Sequence, residues 1–142
     1  MALWYHDAVY DPRAADNEVK SAALALEVAR AAGLPEALGG RVAELIRAST
    51  HRSAPDDPDT RLFADIDLSI LGQPEGAFDE YERHVREEYG WVPEAAFRSG
   101  RAGILRSLLG RPVLYGTPIF REKYEASARR NLERSLLKLT GA

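Results

Sequence analysis

Residues 3–11 read LWYHDAVYD, and this stretch decides how the rest of the chain is read. It sets a His6-Asp7 pair inside an apolar run of Trp4, Tyr5, Ala8, Val9 and Tyr10. The run reads as a buried helix over residues 2–10, stopped by Asp11-Pro12, because proline lacks the amide donor and restricts the residue before it. A charged pair in apolar surroundings costs free energy unless something compensates it. A divalent metal is one compensator, since it turns carboxylate and imidazole into ligands. The beginning of this helix is abrupt, with no Ser, Thr, Asp or Asn to cap it. Helical sequence is therefore expected to precede Met1. Without it, Leu3, Trp4, Tyr5, Val9 and Tyr10 leave an exposed apolar seam, and the chain is expected either to be marginally stable or to self-associate through it as a homo-oligomer.

Apolar spacing predicts further helices along the chain. The second covers residues 16 or 17 to 32, with Asp16 or Asn17 as cap and Gly33 as stop. Its stripe of Val19, Ala22, Ala23, Leu26 and Ala29 is small enough to let another helix approach closely. Residues 34–40 read as a linker, and residues 41–50 as a third helix with Val42, Leu45 and Ile46 inward. RSAPDDPDT (52–60) reads as a loop. Its Asp56, Asp57 and Asp59 lack the glycine and terminal glutamate of a calcium-binding EF-hand loop, so they read as solvated. Helices are then expected over 60–71, 78–89, 93–109 and 121–139, with VLYGTPIF (113–120) as a short irregular piece. No strand pattern of convincing length and no repeat is visible. The expected fold class is all-α, a bundle of about six to seven helices.

The 142 residues suit one domain with one core. No apolar run approaches the roughly 18 residues of a membrane span, so no membrane association is expected. The absence of cysteine excludes disulfides and thiolate sites and fits a cytoplasmic protein. Charge is uneven: residues 1–97 carry a net −10 and residues 98–142 a net +7, so an acidic part suited to cations precedes a basic part suited to anions. The basic part has no recognition motif, and nucleic acid is not expected as a partner.

His6 and Asp7 are neighbours about 100° apart around a helix, so further ligands must come from another segment. Asp67 or Asp65, in the apolar helix over 60–71, is the natural source. The two point about 200° apart, so only one faces a given site. One histidine with carboxylates suits a hard or borderline divalent ion such as Mg, Mn, Zn, Fe or Co. His84 falls on a charged helix face and reads as solvated.

The strings WYHDAVYD, DNEVKSA, ASTH, FADIDLSILG, YERHVREEY, RSGRAGIL and EASARRNL, in this order over nearly the whole chain, resemble a bacterial family of predicted metal-dependent phosphohydrolases in the HD-domain superfamily. The resemblance implies an HD-domain-like helical bundle. It also implies a site built from a histidine, a His-Asp doublet and a distant aspartate around a metal that activates water. His6 and Asp7 match the doublet, and Asp67, in its Ile-Asp-Leu context, is the better match to the last aspartate. The first histidine of the pattern has no counterpart upstream of His6. Within the resemblance, Glu18 would orient or deprotonate the attacking water. His51 would contact phosphate or a second metal, and Arg101 and Arg129 would clamp phosphate. The implied function is hydrolysis of a small phosphate ester, such as a nucleotide. The alternative is a catalytically impaired domain that binds nucleotide or phosphate without turnover.

Overall fold

The computed structural model describes residues 1–49 and 57–141. The fold is all-α, as expected: α1 (Ala2–Tyr5), α2 (Asn17–Ala31), α3 (Glu36–Ala48), α4 (Pro58–Asp67), a 3-10 segment (Leu68–Gly72), α5 (Glu75–Glu88), α6 (Glu94–Leu109) and α7 (Pro118–Thr140). No strand occurs among the described residues. None of the described helices is long and apolar enough to cross a membrane. The chain forms two compact units, Met1–Asp67 and Leu68–Ala142, each with its own core.

The first unit is built on α2 and α3. Ala22, Ala25 and Ala29 are buried on α2, and the first two pack with Val42, Ala43, Ile46 and Phe63. The small stripe works as its residue types suggest: a Cβ on Gly39 would lie 3.3 Å from both Ala29 Cβ and Leu26 Cδ1. Val19 and Ala23, expected in this stripe, face solvent instead. Helix α2 ends as expected at Gly33, which adopts a left-handed φ of 67°. The amide of Leu34 then reaches back to the Ala29 carbonyl at 3.0 Å, closing a Schellman-type end. Residues 36–40 were expected in a linker but belong to α3, because the close approach at Gly39 outweighs the low helix propensity of its two glycines.

The helix expected to reach residue 10 stops at Tyr5, and beyond it the amides of Val9 and Asp11 are bonded to side chains of α2. Nor is the stretch uniformly buried. Ala2 lies in the core, whereas Leu3 and Tyr10 are exposed and Trp4 is 84% exposed, so this segment meets the unit through only part of its surface.

Helix α4 starts two residues before the expected position, and its cap explains why. Asp57 accepts the Thr60 amide at 3.1 Å and also the Thr60 hydroxyl, while Arg41 of α3 donates to the same carboxylate. These bonds, Thr60 first, lower the Asp57 pKa to about 2. Asp57 is thus a helix cap and not simply a solvated loop acid. Asp56 lies outside the described residues.

In the second unit, the core comprises Leu71, Phe78, Leu105, Leu114, Tyr115, Ala128 and Leu132. Helices α3, α5 and α6 open in the same way. Pro35, Pro74 and Pro93 hold extended ψ values of 136°, 148° and 141°, and a glutamate follows each at the first helical position. Proline has no amide to leave unpaired there, and the acid complements the positive helix end. Within α6, Ile104 was expected inward but is 53% exposed; Ala102 and Leu105 carry the buried face. The 3-10 segment lies against α7. Asn131, buried on α7, donates Nδ2 to the carbonyls of Leu71 and Gln73, both at 2.9 Å.

Gly72 sits at that contact, and a Cβ there would fall 2.5 Å from Tyr124 Cβ. That atom is fixed to the α7 backbone and cannot swing aside. Gly72→Ala is therefore expected to destabilise the protein by about 1–3 kcal/mol. Gly100, mid-α6 with open space around it, gives the contrast. Gly100→Ala is expected to stabilise by about 0.5–1 kcal/mol through helix propensity alone. Urea unfolding of the two variants checks both signs.

Candidate metal centre

His6 stands at the C-terminal end of α1, with helical backbone angles (φ −61°, ψ −33°). A helix leaves its last carbonyls without intrahelical partners. One of these, the Leu3 carbonyl, accepts a hydrogen bond from His6 Nδ1 at 3.1 Å. A carbonyl only accepts, so Nδ1 carries a proton and the ring presents Nε2 outward as its functional nitrogen. The ring edge also meets the Phe63 ring of α4, with centroids 5.9 Å apart.

At Nε2 the sequence-distant acids meet. Asp7 Oδ2 and Asp67 Oδ1 each stand 3.1 Å from it. Asp7 is largely exposed, whereas His6 and Asp67 are half-buried. The hydrogen bonds to Asp67 and then Asp7 raise the His6 pKa from its ordinary 6.5 to about 10, against the opposing effect of burial. At neutral pH the ring is thus an imidazolium bridging two carboxylates. Asp67, at the end of α4, supplies its oxygen here; Asp65 is 2% exposed and buried within the same helix.

Comparison with known proteins found no matching family model, no matching curated protein and no matching solved structure. The chemistry of the site therefore has to be read from its own residues. Among the described residues, no three His, Asp or Glu side chains already stand in an arrangement that holds an ion. The ring nitrogen instead touches both carboxylates directly. The residue types, one imidazole and two carboxylates, are ones that divalent ions take as ligands, and the opposite ring nitrogen is anchored to a backbone carbonyl, as it commonly is in metal-binding histidines.

The remaining sequence-derived candidates are spread over the chain. Glu18 is half-buried in the first turn of α2, in the same unit as His6. His51 lies outside the described residues. Arg101 and Arg129 belong to the second unit. Arg101 is 10% exposed and pairs with Glu82 of α5, which also accepts the Ser135 hydroxyl at 2.9 Å. Arg129 donates to Glu125 at 2.8 Å and to the carbonyls of Leu109, Arg111 and Pro112. Both guanidinium groups thus hold helices and a loop together. His84 is exposed beside Arg83, as expected.

Proposed function

We propose that the chain is a metal-dependent hydrolase of phosphate esters, with His6, Asp7 and Asp67 as the protein ligands of one divalent ion. The observation that carries this reading is the meeting of both carboxylates at His6 Nε2, 3.1 Å each, from segments sixty residues apart in sequence. The resemblance of the doublet and the distant aspartate to the HD-domain phosphohydrolases agrees with it. Such an ion supplies Lewis acidity, activating water and polarising a phosphoryl oxygen. His6 contributes a nitrogen donor held in orientation by Leu3. Asp7 and Asp67 contribute negative charge that offsets the ion's own. Within the resemblance, Glu18 in the first turn of α2 would orient the attacking water or accept its proton. The substrate class is a small phosphorylated molecule such as a nucleotide, in a cytoplasmic setting. Since Arg101 and Arg129 already bond within their unit, phosphate neutralisation is not assigned to them.

One observation favours a second reading. The imidazolium satisfies both carboxylates without any ion, so the cluster also works as a clasp between α1 and α4 in a domain that binds phosphate without turnover. Hydrolysis of p-nitrophenyl phosphate and of nucleoside phosphates, with manganese added, separates the two. Chelator-sensitive hydrolysis is expected, reduced at least about tenfold in Asp67→Asn, as befits loss of a ligand. Asp65→Asn is expected to affect it less. Equal activity in wild type and Asp67→Asn would assign any hydrolysis elsewhere.

A further inference from the structure

The segment carrying His6 and Asp7 is held by two side chains of α2 that no part of the proposed chemistry uses. Ser21 is fully buried, a polar residue in the face otherwise formed by Ala22, Ala25 and Ala29. Its hydroxyl accepts the Val9 amide at 3.0 Å and donates to the Val9 carbonyl at 3.1 Å. One turn earlier, Asn17 does the same for Asp11. Its Oδ1 accepts the Asp11 amide at 3.0 Å, and its Nδ2 donates to the Asp11 carbonyl at 2.8 Å. Each side chain thus pairs with both backbone groups of one residue, as the facing residue in an antiparallel sheet does.

The spacing makes the two clamps compatible. Asn17 and Ser21 are four residues apart on a helix, a rise of about 6 Å. Val9 and Asp11 are two residues apart on non-helical backbone, a span of up to about 6.8 Å if extended. The same helix face therefore meets the same side of the segment twice. Had α1 continued, the Val9 amide would have bonded to the Tyr5 carbonyl. That carbonyl instead accepts the Ala8 amide at 3.2 Å in a tighter turn.

We infer that Ser21 and Asn17 are positioning residues for the candidate metal centre. By taking over the backbone of Val9 and Asp11 they end α1 at Tyr5 and set the turn in which Asp7 and His6 come together facing Asp67. The inference stands on this geometry, and only the metal arm of its test rests on the proposed function.

The experiment uses the full chain with Ser21→Ala, Asn17→Ala and Ser21→Thr. Proton NMR reads the cross-peak between the His6 and Phe63 rings, with the Ala29–Gly39 contact as a control for the α2–α3 pair. Calorimetry with manganese ion alone reads the affinity. Both alanine variants are expected to weaken the His6–Phe63 cross-peak several-fold with the Ala29–Gly39 contact intact. They are also expected to raise the manganese dissociation constant at least about tenfold, and Ser21→Thr, which keeps a hydroxyl, to recover toward wild type. A weakened ring cross-peak in a chain whose wild type binds no manganese upholds the positioning role while sinking the metal reading. An unchanged cross-peak and affinity in both alanine variants would overturn the inference. So would loss of the Ala29–Gly39 contact alongside the ring contact in both, since the two side chains would then only be holding the unit together.

Discussion

Replacing Arg101 with methionine is expected to destabilise the Leu68–Ala142 unit by about 3–5 kcal/mol. The side chain and its partner Glu82 are 10% and 17% exposed, so both charges are largely withdrawn from water. Two guanidinium nitrogens face the carboxylate, the Ser135 hydroxyl adds a bond from α7, and the Tyr81 ring centroid lies 5.6 Å from the guanidinium carbon. Methionine fills much of the volume but leaves Glu82 without its counter-charge. For a unit of this size the loss corresponds to a fall in melting temperature of more than about 10 °C. Glu82→Leu together with Arg101→Met should recover much of it, because an apolar pair removes the stranded charge. Circular dichroism melts of wild type, the single variant and the double variant provide the check. A loss below about 1 kcal/mol in Arg101→Met would mean that the pair behaves as a solvated surface bridge.

His6→Ala should alter the response to pH as well as to metal. The folded His6 pKa, about 10, lies above the ordinary 6.5. A raised histidine pKa stabilises the fold fully below 6.5, and that contribution disappears as pH rises through 10. Metal-free wild type is therefore expected to lose stability between pH 6.5 and 10 more steeply than His6→Ala. Metal binding should run the other way. Nε2 must shed its proton to bind an ion, so affinity is expected to rise by up to about tenfold per pH unit until pH approaches 10. Across pH 7 to 9 this amounts to about a hundredfold. Melts in chelator and manganese titrations across this range measure the two trends, and parallel pH profiles for wild type and His6→Ala would contradict both.

The helical class was legible because apolar spacing, prolines and glycines punctuate the chain clearly. Its details escaped where a distant partner decides them. Nothing local announces that Gly39 belongs inside a helix; the reason is Ala29 and Leu26 on α2. Tyr115, in a piece read as irregular, is fully buried and donates to the Leu68 carbonyl at 3.1 Å. Its loop is pinned by Glu125, which accepts the amides of Leu114 and Tyr115. Such a carboxylate cannot be told from a surface acid by spacing.

The candidate site was legible to a similar degree. His6, Asp7 and the pair Asp65 and Asp67 stood out as charged groups in apolar stretches, Asp67 being preferred only through the resemblance; the structure brings His6, Asp7 and Asp67 together. The assumption of a continuous helix over residues 2–10 misplaced their setting, because Ser21 and Asn17 redirect the backbone. A serine interrupting a run of buried alanines is the signal that marks Ser21 in retrospect. Arg101 and Arg129 were singled out for their charge, but the partners that absorb it, Glu82 and Glu125, lie on helix faces whose pairing only the fold reveals.

Whether His6, Asp7 and Asp67 hold an ion is decided by calorimetric titration of manganese into metal-free protein, at one pH in two buffers of different ionisation enthalpy. One saturable site that releases about one proton on binding is expected, absent in His6→Ala and much weakened in Asp67→Asn. Binding of equal strength in all three proteins, or no binding to the wild type, would show that His6, Asp7 and Asp67 form a clasp and not a metal centre.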